Sequence, residues 1–514
     1  MYSNNYLDDF VTAIYRLCFT AMAVIIVGFV LFYILREFVT LLYRCHKAHL
    51  RIALPRNTSG IVLGKKFGFR IFSPVRSEEH TAVFGGSGSG KTVGPVIASL
   101  ISWVKGGIDL LSRLFGEYCS NRGFFTIDIS GDISANVPTT KSLVFEPLNT
   151  NTTPYNAFHY VDLLDDDNDI DDELTAIVDI LLPLHADDED GHWFDNKGHD
   201  ILEACFFSFY RIGLDFWEIC HRISSSSFEK LKDDIYAIDY EQGSIRLNQF
   251  EGSSEKNTNG ALGSAKSAVK ILSSPRLKAI LRRNIPNEIC VHARSIEEYN
   301  IFFKISDKEK DKYSSLAELV VGQLLEYLSG REAENYSRKL LIVLDEFASF
   351  PKINIKPLLE KYRKRKVRVM IVLQSLAQLD DNYGEKIRRI IIDNCRINIL
   401  CEVTDTDSAE YFSKKIGNRR EGGFLAKLLG GFISLQGQYT KERIYPPEDF
   451  AKLDKHAIIL CWGRHFKLRK AFYFKEKAFR ELEKESHDTK QHKELSVGDY
   501  INDGRDYNDF LVEE

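Results

Sequence analysis

Eight consecutive residues, Gly85, Gly86, Ser87, Gly88, Ser89, Gly90, Lys91 and Thr92, fit the pattern G-x-x-x-x-G-K-[ST] without a mismatch. Each residue type in that pattern has a physical task. Glycines let successive backbone N–H groups curl around phosphate oxygens, where a Cβ would clash. A helix that opens directly after the loop adds partial positive charge. Lys91 is placed to neutralise β- and γ-phosphate oxygens, and the Thr92 hydroxyl to ligate Mg2+. The chemistry implied is the binding of ATP with Mg2+.

Hydrolysis needs a second, acidic centre. The segment LLIVLDEF at 340–347 supplies five apolar residues followed by Asp345 and Glu346. A buried strand would deliver both acids at its C-terminal end, where α/β sites form. Asp345 is expected to hold Mg2+, directly or through water, and Glu346 to orient and activate the attacking water. The next apolar run, VMIVLQS at 369–375, ends in Gln374, which can sense the γ-phosphate or position water. Between the two runs lie Lys361, Arg363, Lys364, Arg365, Lys366 and Arg368. Three readings stay open for this cluster. It is a solvated face, a contact for DNA phosphates, or the source of an arginine offered to a neighbouring subunit's ATP. Arg363 is the first candidate for such a finger and Arg365 the second.

These residues need a sheet to carry them. TAVF precedes the phosphate loop, GFFTID at 123–128 reads as a strand ending in an acid, and YNIFFKI at 299–305, LLIVLDEF, VRVMIVLQ at 367–374 and RINILCEV at 396–403 read as further strands. Another is expected at 287–292. Helices are expected at 92–118, 314–328 and 354–363. Apolar runs of this length alternating with helices indicate an α/β fold with a mostly parallel sheet covered on both faces. Residues 51–84 break into short strands. Lys91 and Asp345 are 254 positions apart, more than a minimal nucleotide fold requires. The mainly helical stretch between them, with helical patterns in 162–190, 193–235 and 262–284 and a polar loop at 241–260, reads as an insert in a RecA-like core. The expected organisation is therefore a membrane anchor and juxtamembrane helix over 1–50, the first part of the nucleotide domain over 51–160, the helical insert over 161–290, the second part of the nucleotide domain over 291–482, and an acidic flexible tail over 483–514.

Residues 17–35 contain no charge and are bracketed by Arg16 and Arg36. At 1.5 Å per residue they nearly cross a hydrocarbon core of about 30 Å, and snorkelling of Arg16 extends the span to about residues 12–35. A signal peptide is the competing reading, but its apolar part is shorter and ends at small residues. Arg36, Arg44, Lys47, Arg51 and Arg56 follow the span, whereas Asp8, Asp9 and Arg16 precede it, so the bulk of the chain should face the cytoplasm. Nine scattered cysteines with no C-x-x-C pair agree with a reducing compartment. The net charge of -5 excludes a global polycation, so any nucleic-acid contact must use local basic patches. No internal repeat is present.

The order of these blocks resembles the TraG/TraD-like type IV coupling proteins, the membrane ATPases of conjugation and type IV secretion. The resemblance spans roughly residues 55–480. It is carried by TAVFGGSGSGKTVGPVIASL, GFFTIDISGD with FEPLNTNTTPYNAF, HWFDNKGHDILEACFFSFY, LLIVLDEFASFPKI and VRVMIVLQSLAQLDDNYG. It implies that Lys91 and Thr92 are the phosphate and Mg2+ residues, Asp345 and Glu346 the acidic pair, Gln374 the strand-end glutamine, and Arg363 the approximate position of the arginine finger. Asp128 and Asp132 fall where the family has an acid-Lys-Gly-acid turn, but Ser130 stands in the lysine's place, so that turn receives no role. The resemblance further implies a homohexameric ring with a DNA channel, an all-α domain that helps select substrate, relaxase or accessory proteins as partners, and docking onto secretion-channel proteins at the bacterial inner membrane. Relatives often carry two membrane helices. This chain offers one, because Lys105, Asp109 and Arg113 interrupt the apolar region at 94–115.

Three alternatives share the same nucleotide site. A protein-only translocase would differ in lacking stimulation by DNA. An FtsK-like chromosome pump would usually have several spans and a DNA-reading C-terminal domain. A nucleotide-gated scaffold without hydrolysis would most simply lack Glu346.

Overall fold

The computed structural model describes residues 4–480 except 54–57, 59, 67–69, 75–78, 106–120, 138, 140, 150, 186–191, 284–288, 333–337, 350–352, 354, 421–440 and 478. The acidic tail expected at 483–514 lies outside the described residues, as does most of the second half of the helix expected at 92–118.

Helix α1 runs from Asn4 to Lys47, and its apolar residues from Phe10 to Tyr43 are largely exposed. Its most apolar 18-residue window has a mean hydropathy of 2.7, and it is the one helix among the described residues long and apolar enough to cross a membrane. Its end is tied to the body: Cys45 and Ala48 are buried, and the Arg44 guanidinium donates to the His465 carbonyl at 2.5 Å and lies over Phe466.

Strands β1 (Leu50–Ala53), β2 (Gly64–Lys66), β3 (Arg70–Pro74), β4 (Thr81–Phe84), β5 (Arg122–Asp128), β6 (Ser142–Phe145), β7 (Asn300–Lys304), β8 (Lys339–Leu344), β9 (Val367–Leu373) and β10 (Ile397–Leu400) join a C-terminal hairpin in one twelve-stranded sheet. A separate two-stranded ribbon is formed by β11 (Asn418–Arg420) and β12 (Lys441–Arg443); the hairpin is β13 (His456–Cys461) and β14 (Arg464–Arg469). The order across the sheet is β1-β3-β2-β14-β13-β10-β4-β9-β8-β5-β7-β6. The seven strands from β10 to β6 are mutually parallel, and the five on the β1 side are antiparallel. Burial explains the composition: β4, β8 and β9 are apolar on both faces because helices cover both.

Helix α2 (Ile97–Lys105) continues a π turn at Thr92–Val96, and α3 (Asp132–Asn136) follows β5. The insert leaves the sheet after β6 and returns at β7, its neighbour, so the sheet is not interrupted. Its two ends are zipped together: Tyr155 N–H donates to the Ile280 carbonyl at 2.7 Å and Val291 N–H to the Pro154 carbonyl at 2.7 Å. Within it lie α4 (Asp167–Leu181), α5 (Trp193–Arg211), α6 (Phe216–Ser225), α7 (Phe228–Ile238), α8 (Glu241–Asn248) and α9 (Glu255–Val269). The core then adds α10 (Ser314–Gly330), α11 (Lys356–Lys361), α12 (Leu376–Asn394), α13 (Thr406–Ile416) and α14 (Pro447–Phe450).

Two sequence expectations need correction. The polar stretch 241–260 is not a loop but α8 and the start of α9. Two of its three glycines serve close packing: a Cβ on Gly260 would collide with the Phe194 ring, and one on Gly243 with the Ser208 hydroxyl, whereas Gly252, at φ +77°, turns the chain between the two helices. Ser254 caps α9 by accepting from Asn257 N–H at 3.3 Å. The strand expected at 287–292 reduces, among its described residues, to a single bridge at Val291, because that segment pairs only with the insert's entry at Tyr155.

Candidate nucleotide-binding site

The phosphate loop leaves the C-terminal end of β4, near the centre of the sheet. Gly85 N–H donates to the Leu373 carbonyl at 3.1 Å and Gly86 N–H to the Glu402 carbonyl at 2.8 Å, which locks the loop's start to β9 and to the chain after β10. Gly88 and Gly90 have φ of +75° and +74°, a left-handed backbone that glycine adopts without strain. The Lys91 side chain is buried and folds back towards the Gly86 carbonyl at 3.5 Å.

Registry brings the acids level with the loop. In the sheet β9 lies between β4 and β8, with Phe84 opposite Leu373 and Leu344 opposite Ile371. Asp345 and Glu346 therefore follow β8 two strands from the phosphate loop, and Gln374 follows β9 between them. Asp345 is buried, and its Oδ1 is shut from solvent without a hydrogen-bond partner among the described residues. Burial and the neighbouring Glu346 carboxylate push its carboxyl up to about 7, with Lys91 pulling the other way and Asp128 adding to the rise. An orphaned buried carboxylate oxygen near a lysine is a setting that a cation fits, since buried polar atoms in native proteins are otherwise satisfied. Asp345 and Thr92 are the residues that would hold Mg2+. Glu346 sits at φ +49°, an uncommon backbone for a non-glycine residue and one that clusters at functional sites. The Gln374 side-chain carbonyl accepts from the Gln378 amide at 3.4 Å.

Arg363 is not part of this cluster. Its Nη1 lies 3.5 Å from Glu79 Oε2, two residues before β4 and hence at the opposite end of the sheet. The seven residues of β9 put about 20 Å between the two ends, so Arg363 cannot serve the nucleotide of its own subunit. Its side chain is 40% exposed. Arg365 is engaged elsewhere: its Nη1 donates to the Leu328 and Arg331 carbonyls, both at 3.3 Å, at the end of α10. Arg368 is buried beneath Trp103.

Two residues at the site carried no sequence signal. Lys470, just after β14, is buried, and its ammonium donates to the Ser89 carbonyl at 2.6 Å and to the Asp454 carbonyl at 2.5 Å. It holds the phosphate loop from below. Phe472 lies so close to Gly90 that a Cβ there would stand 2.9 Å from its ring. Asp128, the acid that ends β5, accepts from Gly131 N–H at 2.9 Å and Ser134 N–H at 2.7 Å and so starts α3.

Comparison with known proteins agrees with this geometry. Residues 339–455, from β8 through Asp345, Glu346, Arg363 and Gln374, match the family model described as the TraM recognition site of TraD and TraG. A search of curated proteins gives no match. Among solved structures, the plasmid coupling protein TrwB in complex with the non-hydrolysable GTP analogue GDPNP aligns at 20% identity over 78% of this chain and 88% of that one, with a TM-score of 0.59. The bacterial conjugative coupling protein TrwBdeltaN70, in a trigonal form with sulphate, aligns at 20% identity over 83% and 94%, with a TM-score of 0.61. TrwB in complex with ADP and Mg2+ aligns at 20% identity over 78% and 88%, with a TM-score of 0.58. Over residues 339–455 the chain resembles TraD and TraG in sequence, and over most of its length it shares the fold of TrwB: a RecA-like P-loop NTPase fold with an inserted helical domain, preceded here by an N-terminal apolar helix.

Proposed function

We propose that the chain is a membrane-anchored, Mg2+-dependent ATPase that recruits relaxase-bound DNA and drives it through a type IV secretion or conjugation channel. The observation that carries this reading is the convergence of Lys91, the partnerless buried Oδ1 of Asp345, Glu346 and Gln374 at the C-terminal ends of three neighbouring parallel strands. A bound Mg2+ supplies charge neutralisation between the phosphates. Lys91 and the loop's N–H groups bind and orient the triphosphate. Glu346 takes up the proton of the attacking water, and Gln374 positions that water against the γ-phosphate.

Arg363 completes the site of an adjoining subunit, which makes an oligomer, a hexamer by family likeness, the working unit. Its exposure and its separation from its own phosphate loop support that role. The family model's description supports a protein of the DNA-processing complex as a partner of the 339–455 segment. Helix α1 holds the assembly at the cytoplasmic membrane with the bulk of the chain on the cytoplasmic side. The test is ATP turnover with and without single-stranded DNA. Stimulation by DNA that is lost in Lys91→Ala supports the reading. Turnover indifferent to DNA would favour the protein-only translocase.

A further inference from the structure

Far from the phosphate loop, where α4 gives way to α5, two histidines and an aspartate converge. His185 follows α4, His192 is the N-cap residue of α5, and Asp195, three positions on, lies in the first turn of that helix. A nitrogen of each ring and a carboxylate oxygen of Asp195 all lie within 4.8 Å of one another. The two imidazoles stack with centroids 4.0 Å apart and an interplanar angle of 29°. His192 Nδ1 is closed off from solvent and has no hydrogen-bond partner among the described residues. The positions are also held from outside the trio. The Asn196 side chain accepts from His185 N–H at 2.9 Å and donates to the His185 carbonyl at 3.1 Å, clamping the backbone of His185 against α5.

We propose that His185, His192 and Asp195 form a binding site for a divalent transition-metal ion, Zn2+ foremost, that fastens the end of α4 to the first turn of α5. Two imidazole nitrogens and one carboxylate are a ligand set for Zn2+, Co2+ or Ni2+, and not for Mg2+ or Ca2+, which take oxygen ligands. Tetrahedral bonds of about 2.0–2.2 Å need ligand atoms about 3.3–3.5 Å apart. The three atoms therefore close by up to about 1.5 Å, which exposed and half-exposed side chains allow. Water fills the fourth position. Asn196 plays the part of an outer partner that fixes a ligand's placement without touching the ion. The residues between His185 and His192 are not counted as ligands.

The full-length protein in detergent, stripped by a chelator and kept in excess Mg2+, is titrated with Co2+ and then Zn2+. The wild type is expected to take one equivalent with the visible spectrum of tetrahedral nitrogen–oxygen coordination, lacking a thiolate charge-transfer band. His185→Ala and His192→Ala are expected to lose that equivalent. Asn196→Ala is expected to keep the spectrum but bind about 10–100-fold more weakly, the usual effect of losing an outer-shell partner. Circular dichroism of each variant checks that the helices remain. Equal stoichiometry and affinity in the wild type and both histidine variants would overturn the proposal. So would a cobalt spectrum dominated by thiolate, which would assign the ion to the cysteines.

Discussion

At the scale of residues, the roles proposed for the site separate by what each side chain can touch. Lys91→Ala removes the only lysine of the phosphate loop. It should abolish nucleotide binding and turnover while leaving the circular dichroism spectrum intact, because the loop's backbone is held by Leu373 and Glu402. Glu346→Gln keeps shape and loses the base. Turnover should fall about 10²–10⁴-fold with ATP still bound, measurable as retained nucleotide after gel filtration. Lys470→Met would orphan the Ser89 and Asp454 carbonyls, each at a cost of about 1–3 kcal/mol, so its thermal midpoint should drop and nucleotide affinity with it. An unchanged midpoint would show that the lysine does not brace the loop. The contrast between Lys91 and Lys470 marks how far a sequence can be read. Lys91 sits in a contiguous pattern whose chemistry is local. Lys470 acts on a carbonyl 381 positions away, and no spacing rule connects the two.

At the scale of elements, the sheet is legible where burial dictates composition. The runs that became β4, β5, β8, β9 and β10 are apolar because both their faces are covered, and their acidic or amide ends fall at the site because strands are parallel. The insert was less legible. Gly243 and Gly260 look like loop residues in a polar stretch, yet they pack at helix contacts that only the folded partner, α5, reveals. Strand β4 also carries a buried titratable group at its base. His80 Nδ1 accepts from Val369 N–H at 3.0 Å, which requires a neutral ring, and burial with the Arg368 and Arg363 guanidiniums pushes its imidazole down to about 4. The folded value lies below the unfolded 6.5, so this contribution to stability is complete above pH 6.5 and is lost as pH falls through that window towards 4. The thermal midpoint should therefore decline on acidification from pH 7 to 5, and His80→Gln should flatten that decline. An identical slope in the variant would place the acid sensitivity elsewhere.

At the scale of the whole molecule, the separation of Arg363 from its own phosphate loop requires subunits to share sites if the arginine acts at all. Arg363→Ala should spare ATP binding and reduce hydrolysis about 10³–10⁵-fold. Mixing it with Glu346→Gln should restore part of the turnover, since some interfaces then pair an intact Glu346 with a neighbour's intact Arg363. No recovery on mixing would assign Arg363 to its ion pair with Glu79 alone. The proposed ring, cargo and channel leave no local trace in a single chain, because they are properties of contacts between chains, and their reading comes from family likeness. The most direct measurement is ATP turnover by the full-length protein in detergent or nanodiscs, across a concentration series, with and without single-stranded DNA, and with Lys91→Ala as the blank. The account predicts turnover per subunit that rises steeply with concentration and rises further with DNA. Turnover per subunit that is constant with concentration and unaffected by DNA would contradict it.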